Sequence, residues 1–327
     1  MKKKLLIAGH DLKFFTLILE ELKKIKKYEI EIDEWAGHAI HNISESQKHL
    51  EWADIIFCEW GLGNAVWYSN NKLPHQKLFV RMHGQERNTS YYRNFDLDNI
   101  DKIITVSPYI YEIFNQQTEI PRDKMTVIYN AIDVELLDEP KEHDYEFNLG
   151  IIGICPKLKR LDLAVEVFEK LWTTNKRYKL FIKGKMPSEY PWLWKQDEER
   201  EHYEEIFKKI ESAPWKDSII FEEFGPINDF LKKIGFVLST SDFETFHLAP
   251  GEGMASGAIP VIRNWSGSEL VYPSEYIFET TEEMKKYIEM FNTKAALEKQ
   301  ERIVKDYVKK HFAVTKIADL IQSLLEE

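Results

Sequence analysis

The chain has 327 residues, of which 43% are hydrophobic and 30% charged, and its formal net charge is −11 with an acidic excess in both halves. Length and composition describe a folded chain of about two domains, at roughly 150 residues per domain, and exclude a disordered one. The acidic balance argues against nucleic acid as a partner, two cysteines cannot build a disulfide framework, and no stretch approaches the roughly 18 apolar residues of a membrane span.

The first apolar run, 4–8, follows a basic head and ends at AGH. It is too short for a signal peptide and reads as a buried strand, so the expected location is cytoplasmic, at most peripheral at the inner membrane surface. A lysine-rich helix, 14–27, comes next. Its apolar side fits either the sheet or anionic lipid. Strands at 28–33, 54–58, 77–82, 102–106 and 124–129 then alternate with helices at 45–51 and 109–117. This is the rhythm of βαβ units on a parallel sheet. Trp60, Trp67 and Tyr68 follow the third strand and fit a sugar-stacking surface or local core. Asp96 and Asp98 form a D-x-D that reads as surface charge rather than a metal site. The polar stretch 138–145 is the expected linker.

The rhythm restarts with a strand at 149–155, a helix at 161–173 and a strand at 178–183. Tyr190, Trp192 and Trp194 make an aromatic cluster that fits a lid, an acceptor platform or satellite packing. A helix at 197–212, a strand at 218–222, a short helix at 228–233 and a strand at 236–239 follow. A helix at 251–256, a strand at 259–262 and helical sequence from 281 to 327 complete the chain. Two doubly wound α/β domains in series are expected. Cys58 and Cys155 end apolar runs and read as reduced core residues.

No G-x-G-x-x-G follows a strand and no Walker A motif is present, which excludes the usual nicotinamide and P-loop readings. The densest signal is STSDFETFHLAPGEGMASGAIPVI, 239–262. A helix start beside a strand end offers free N–H groups and a positive dipole, which suit a phosphate. Glu252, expected in the first turn, suits ribose hydroxyls, and Glu244, on the preceding loop, suits sugar hydroxyls. The competing reading is a capping glutamate plus a surface glutamate. The second signal is GICPKLKRLD, 153–162: a glycine ends a strand and Lys159–Arg160 precede a helix. Cations are unfavourable at a helix N-terminus unless an anion joins them, and this pair can clamp a diphosphate.

Together these residues resemble the retaining glycosyltransferases of family four, which have the GT-B fold. The E-x7-E element reads Glu244-TFHLAPG-Glu252 and continues as GMASGAIPVI to Ile262. The glycine-then-lysine element is Gly153 to Lys159. Asn130-Ala-Ile-Asp133 follows MTVIY, IITVS ends at Ser107, and His83-Gly84 follows a strand. The resemblance implies two Rossmann-like domains facing each other across a cleft. They would span 1–140, on the acceptor side, and 141–310, binding the nucleotide sugar, with a C-terminal helix, 311–327, packed back on the first.

It also implies roles. Lys159, with Arg160 nearby, neutralises the leaving diphosphate. Gly153 lies beside it, and backbone N–H groups around Phe246, His247 and Leu248 approach the phosphates and sugar. Glu244 holds the donor sugar and Glu252 the ribose. Gly184 and Lys185 border the nucleotide, Ile227 lines the base, and His83 reaches the donor sugar. The implied reaction is metal-independent transfer of a sugar, with retention, from a nucleoside diphosphate sugar to a glycan or lipid-linked acceptor. A UDP-sugar is the favoured donor, no cofactor is needed, and the setting is cell-surface glycan synthesis. Epimerase or hydrolase chemistry on the same fold, or a non-catalytic nucleotide-sugar-binding subunit, are the alternatives. The sequence departs from the family at Ile154, where arginine is usual, so either Arg160 or Lys157 takes over or one phosphate contact is missing. It departs again at Thr245 and His247, where glycines are usual.

Overall fold

The computed structural model describes residues 2–118, 120–291 and 293–327. The chain divides into two compact units, one running to Ala131 and joined by Phe312–Glu327, the other spanning Ile132–His311.

In chain order the first unit contains β1 (Lys3–Gly9), α1 (Thr16–Ile25), β2 (Tyr28–Glu34), α2 (Ile43–Trp52), β3 (Ile55–Glu59), α3 (Gly63–Asn71), β4 (Lys77–Met82), β5 (Lys102–Thr105), α4 (Pro108–Gln117) and β6 (Met125–Val127). All six strands are parallel, in the order β2-β1-β3-β4-β5-β6. The central strand β3 (IIFCE) is buried along its whole length, as a strand covered on both faces must be. Helix starts follow local chemistry: Asn42 caps α2 by accepting the N–H groups of Ser44 and Glu45, and Ser107 caps α4 ahead of Pro108.

In the second unit come α5 (Val134–Leu137), β7 (Asn148–Ile152), α6 (Leu161–Thr174), β8 (Lys179–Lys183), α7 (Pro191–Trp194), α8 (Asp197–Ser212), β9 (Ile219–Glu222), α9 (Asn228–Lys232), β10 (Phe236–Ser239), α10 (Leu248–Ala255), β11 (Ile259–Arg263), β12 (Ile277–Phe278), α11 (Thr281–Glu289) and α12 (Lys294–Phe312). Its strands are again parallel, in the order β12-β11-β10-β7-β8-β9. The last helix, α13 (Val314–Glu326), belongs to the first unit. There Ile317, Ile321 and Leu325 share a core with Ile18, Leu19 and Leu22 of α1. Burying each such side chain is worth about 1.5–3 kcal/mol. The apolar face of α1 is thereby used up, so the bilayer reading of that helix loses its contact surface.

The polar stretch 138–145 is not a free linker. It lies inside the second unit, where the Lys141 ammonium donates to the carbonyls of Leu231 and Ile234 and to Ser256 Oγ, at 2.8, 2.8 and 3.0 Å. The unit boundary accordingly precedes α5, which packs on α9 and α10. The same region explains Gly235: a Cβ there would lie 2.5 Å from the carbonyl oxygen of Tyr145. Backbone cannot step aside as a side chain can. Gly235→Ala is therefore expected to cost about 1–3 kcal/mol, read as a lowered Tm in a thermal melt.

Candidate functional site

The second sheet changes winding direction between β7 and β10: β8 and β9 extend it on one side, β11 and β12 on the other. Ligands of open α/β sheets bind outside the carboxyl ends of the strands at such a point. Two loops meet there, 153–160 after β7 and 240–247 after β10. Thr240 Oγ1 lies 3.0 and 2.9 Å from the carbonyl oxygens of Lys159 and Arg160, and the Asp242 N–H donates to the Leu158 carbonyl at 2.8 Å.

Gly153 and Gly184 end the adjacent strands β7 and β8 with φ of +73° and +142°. A Cβ on Gly184 would come within 3.5 Å of the Gly153 backbone, whereas one on Gly153 would meet nothing within 4 Å. The strand ends are thus close-set backbone facing open space.

Lys159 Nζ donates to Glu244 Oε1 at 2.5 Å. Ser241 Oγ donates to the same oxygen at 2.7 Å, and His247 Nε2 lies 3.6 Å from it. Among the described residues no hydrogen bond reaches Glu244 Oε2. Burial pulls this carboxyl upward, but His247, the Lys159 ammonium and the Ser241 hydroxyl outweigh it and leave it below its ordinary value. His247 Nδ1 is 2.7 Å from Ser239 Oγ, and burial pushes the imidazole down to about 4 against the pull of Glu244.

Arg160 departs from expectation as a free phosphate fork. Its guanidinium is held by Asp162, through Nε at 2.9 Å and Nη2 at 2.8 Å, and by Asp242, through Nη1 at 3.0 Å. Asp242 also takes Arg263. The Asp162 hydrogen bonds raise the Arg160 pKa further above its ordinary value. The anion demanded by cations at the start of α6 is supplied by the chain itself. Lys157 is likewise paired, with Glu198.

The helix expected at 251–256 begins three positions earlier, at Leu248. His247 precedes it in the left-handed region at φ +56°, with its carbonyl held by the Tyr272 hydroxyl at 2.7 Å. Pro250 falls inside the first turn, where its missing N–H costs nothing. Among the described residues the N–H groups of Leu248 and Ala249 have no partner, so the positive end of α10 is open to an anion. Phe246 is fully buried beside Tyr272. Glu252 therefore sits in the second turn, not the first. Its carboxylate accepts no hydrogen bond among the described residues, and burial pushes its pKa up to about 7.

The other expected residues are spread around this point. Lys185 Nζ lies over the rings of Tyr190 and Phe224, 5.9 and 5.7 Å from their centroids. Phe224 is 74% exposed and Trp192 59%. Ile227 is half-buried just before α9, its carbonyl accepting the Leu231 N–H.

In the first unit, His83 is buried between Phe14 and Trp60, and its Nε2 is 2.7 Å from Glu59 Oε1. Trp60 is buried and donates to the Asp11 carbonyl, and Tyr68 donates to Asp33. Both belong to the core rather than to a sugar-stacking surface. Asp96 caps a short turn by accepting the Asp98 N–H. Among the described residues no group of three or more His, Cys, Asp or Glu side chains is placed to hold a metal ion, and no helix is long and apolar enough to cross a membrane.

Sequence reasoning missed Ser239, Thr240, Ser241 and Tyr272. The signal for the first three was present: a run of hydroxyl residues closing a strand just before the glutamate loop. Nothing local marked Tyr272.

The family model described as "Glycosyltransferase Family 4" matches residues 8–136, and that described as "Glycosyl transferases group 1" matches 138–326. No curated protein sequence matches the chain. Among solved structures, Anabaena Alr3699/HepE in complex with UDP-glucose is 15% identical with a TM-score of 0.72, covering 99% of each chain. A glycosyltransferase from Rickettsia africae ESF-5 is 13% identical with a TM-score of 0.73, covering 99% of this chain and 98% of that one. TarM is 16% identical with a TM-score of 0.66 over 84% of this chain, which spans 55% of TarM's length. These likenesses show the fold, two Rossmann-like α/β units of the GT-B type.

Proposed function

We propose, for a chain that belongs to the group 1 glycosyl transferases and carries a Glycosyltransferase Family 4 first half, that it transfers a sugar from UDP to an acceptor hydroxyl with retention of anomeric configuration. The observation that carries this reading is the set of groups gathered at the switch point of the second sheet. Lys159, the unpartnered N–H groups opening α10, the free oxygen of Glu244 and the unbonded carboxylate of Glu252 make a surface for a diphosphate flanked by two sets of hydroxyls. The diphosphate lies on the α10 terminus with Lys159 answering its charge, beside the open backbone of Gly153. Glu244 Oε2 takes sugar hydroxyls and Glu252 the ribose. Gly184, Lys185 and Ile227 border the nucleoside, and Phe246, His247 and Leu248 supply backbone. Arg160 acts through the loop it ties to Asp242. His83 enters through the resemblance alone.

In the reaction the acceptor oxygen bonds to the anomeric carbon and the bond from that carbon to the phosphate oxygen breaks. The acceptor proton passes to an oxygen of the departing UDP. Developing charge on the diphosphate is met by fixed donors, so no metal is required. The acceptor is a glycan or lipid-linked saccharide, and the setting is cytoplasmic synthesis of cell-surface glycans.

A thermal-shift series with UDP-, GDP- and ADP-sugars tests the donor, because ligand at 100 times Kd stabilises by about 2.7 kcal/mol. Stabilisation by UDP-sugars is expected. Transfer to a saccharide acceptor, followed by NMR of the new anomeric proton, should proceed at the same rate in EDTA. Inverted product, or a rate lost in EDTA and restored by manganese, overturns the mechanism. Donor consumption without acceptor points to epimerase or hydrolase chemistry, and binding without turnover to a non-catalytic subunit.

A further inference from the structure

His247 stands where backbone geometry asks for glycine. At φ +56° a side chain is disfavoured, and strain of this kind persists where the surroundings over-determine it, which is common at functional sites. The ring is nearly buried, tied on one side to Ser239 Oγ at 2.7 Å and set on the other 3.6 Å from Glu244 Oε1. Ser239 ends β10, the strand beside the switch point, so the imidazole links a rigid strand end to the carboxylate on the loop. The other two groups on Oε1 differ in kind. Ser241 belongs to the same loop and moves with it. Lys159 comes from the neighbouring loop and is the cation assigned to the diphosphate.

We propose that the Ser239–His247 pair is a positioning device that keeps Glu244 in place when Lys159 turns from it to the diphosphate, with Oε2 still presented to the donor sugar. The proposal rests on the donor-sugar role given to Glu244 above. In the ligand-free chain Lys159 and Ser241 hydrogen-bond to Oε1, and the ring stands 3.6 Å away, beyond hydrogen-bond distance. Once the ammonium swings to phosphate, Ser241 alone would hold the carboxylate, and it belongs to the same loop. The ring supplies the anchor to the sheet.

The test compares UDP with UDP-glucose, because only the sugar meets Glu244. His247→Gly suits the backbone at this position, so the variant is expected to fold, with a Tm within a few degrees of the parent. Calorimetry should show UDP affinity unchanged and the preference for UDP-glucose over UDP reduced about tenfold. UDP release during turnover should slow about 10- to 100-fold at saturating donor, the scale of a misplaced positioning group. Ser239→Ala, which frees the ring while leaving it in place, should shift the same two readouts in the same direction. His247→Gln, which restores a donor near the Nε2 position, should recover part of the loss.

An unchanged sugar preference and rate in folded His247→Gly and Ser239→Ala overturn the proposal. So does a parallel loss of UDP affinity, sugar preference and Tm, which marks a merely structural residue. If the parent chain binds neither UDP nor UDP-glucose, it is the donor-site reading itself that fails.

Discussion

Lys159→Ala is expected to lower the transfer rate at saturating donor by about 10²–10³-fold, the usual scale for losing one donor aimed at transition-state charge. The size follows from how little else is available. Of the three basic residues on the loop after β7, Arg160 is bound by Asp162 and Asp242 and Lys157 by Glu198. Lys159 is the one whose partner, Glu244, belongs to the site itself. Its ammonium moves from a carboxylate to a diphosphate without exposing an unpaired charge in the first state. Removing it leaves Glu244 with Ser241 and the nearby His247, so the fold should survive and UDP should still bind at the α10 terminus. Steady-state kinetics with UDP-sugar, read beside the Kd for UDP, separates the two effects. A rate within a factor of three of the parent would show that the α10 terminus alone meets the leaving charge.

Glu252→Gln should do two opposite things. Losing a charged hydrogen bond to ribose should weaken UDP and UDP-sugar alike by about 1.5–3 kcal/mol. Without ligand, however, the variant should be the more stable protein at pH 8. The folded-state pKa of Glu252 is pushed up to about 7 by burial, from an ordinary 4.5. Between those values the folded chain holds a proton that the unfolded chain has lost, so stability falls as pH rises from about 4.5 to 7 and stays low above it. An uncharged amide removes that penalty, which is on the order of 3 kcal/mol for a shift from 4.5 to about 7. Melting curves of parent and variant should therefore converge near pH 5 and separate at pH 8, with the variant higher. A variant less stable at both pH values, with normal UDP affinity, would make Glu252 an ordinary helix residue. The same trade is common where a site holds a group for a ligand rather than for the fold.

Much of this architecture is legible in the sequence. Runs such as LLIAG and IIFC are continuous rather than alternating because their strands are covered on both faces, and the strands of the described residues fall into two sheets. Gly153 and Gly184 were legible as strand ends, because only glycine is at ease at the torsions they adopt. The family, and hence the pair of Rossmann-like units, was indicated by the co-occurrence in order of His83-Gly84, Ser107, Asn130–Asp133, Gly153–Lys159 and Glu244–Glu252 rather than by any one of them.

What tertiary structure decided was who answers each charge and where the critical helix begins. Pro250 looks like a loop residue in the sequence, yet His247 in the left-handed region lets α10 start at Leu248 with the proline inside its first turn, moving Glu252 one turn deeper. Lys159 and Glu244 are 85 positions apart, Arg160 and Asp242 82 apart. No local pattern pairs them; they meet because β7 and β10 are neighbours in the sheet, and the Coulomb attraction between unit charges matters only within a few ångströms. The chain order therefore carries the strands and the residue types, whereas the distances that pair Lys159 with Glu244 and Arg160 with Asp242 exist only once the second sheet has formed.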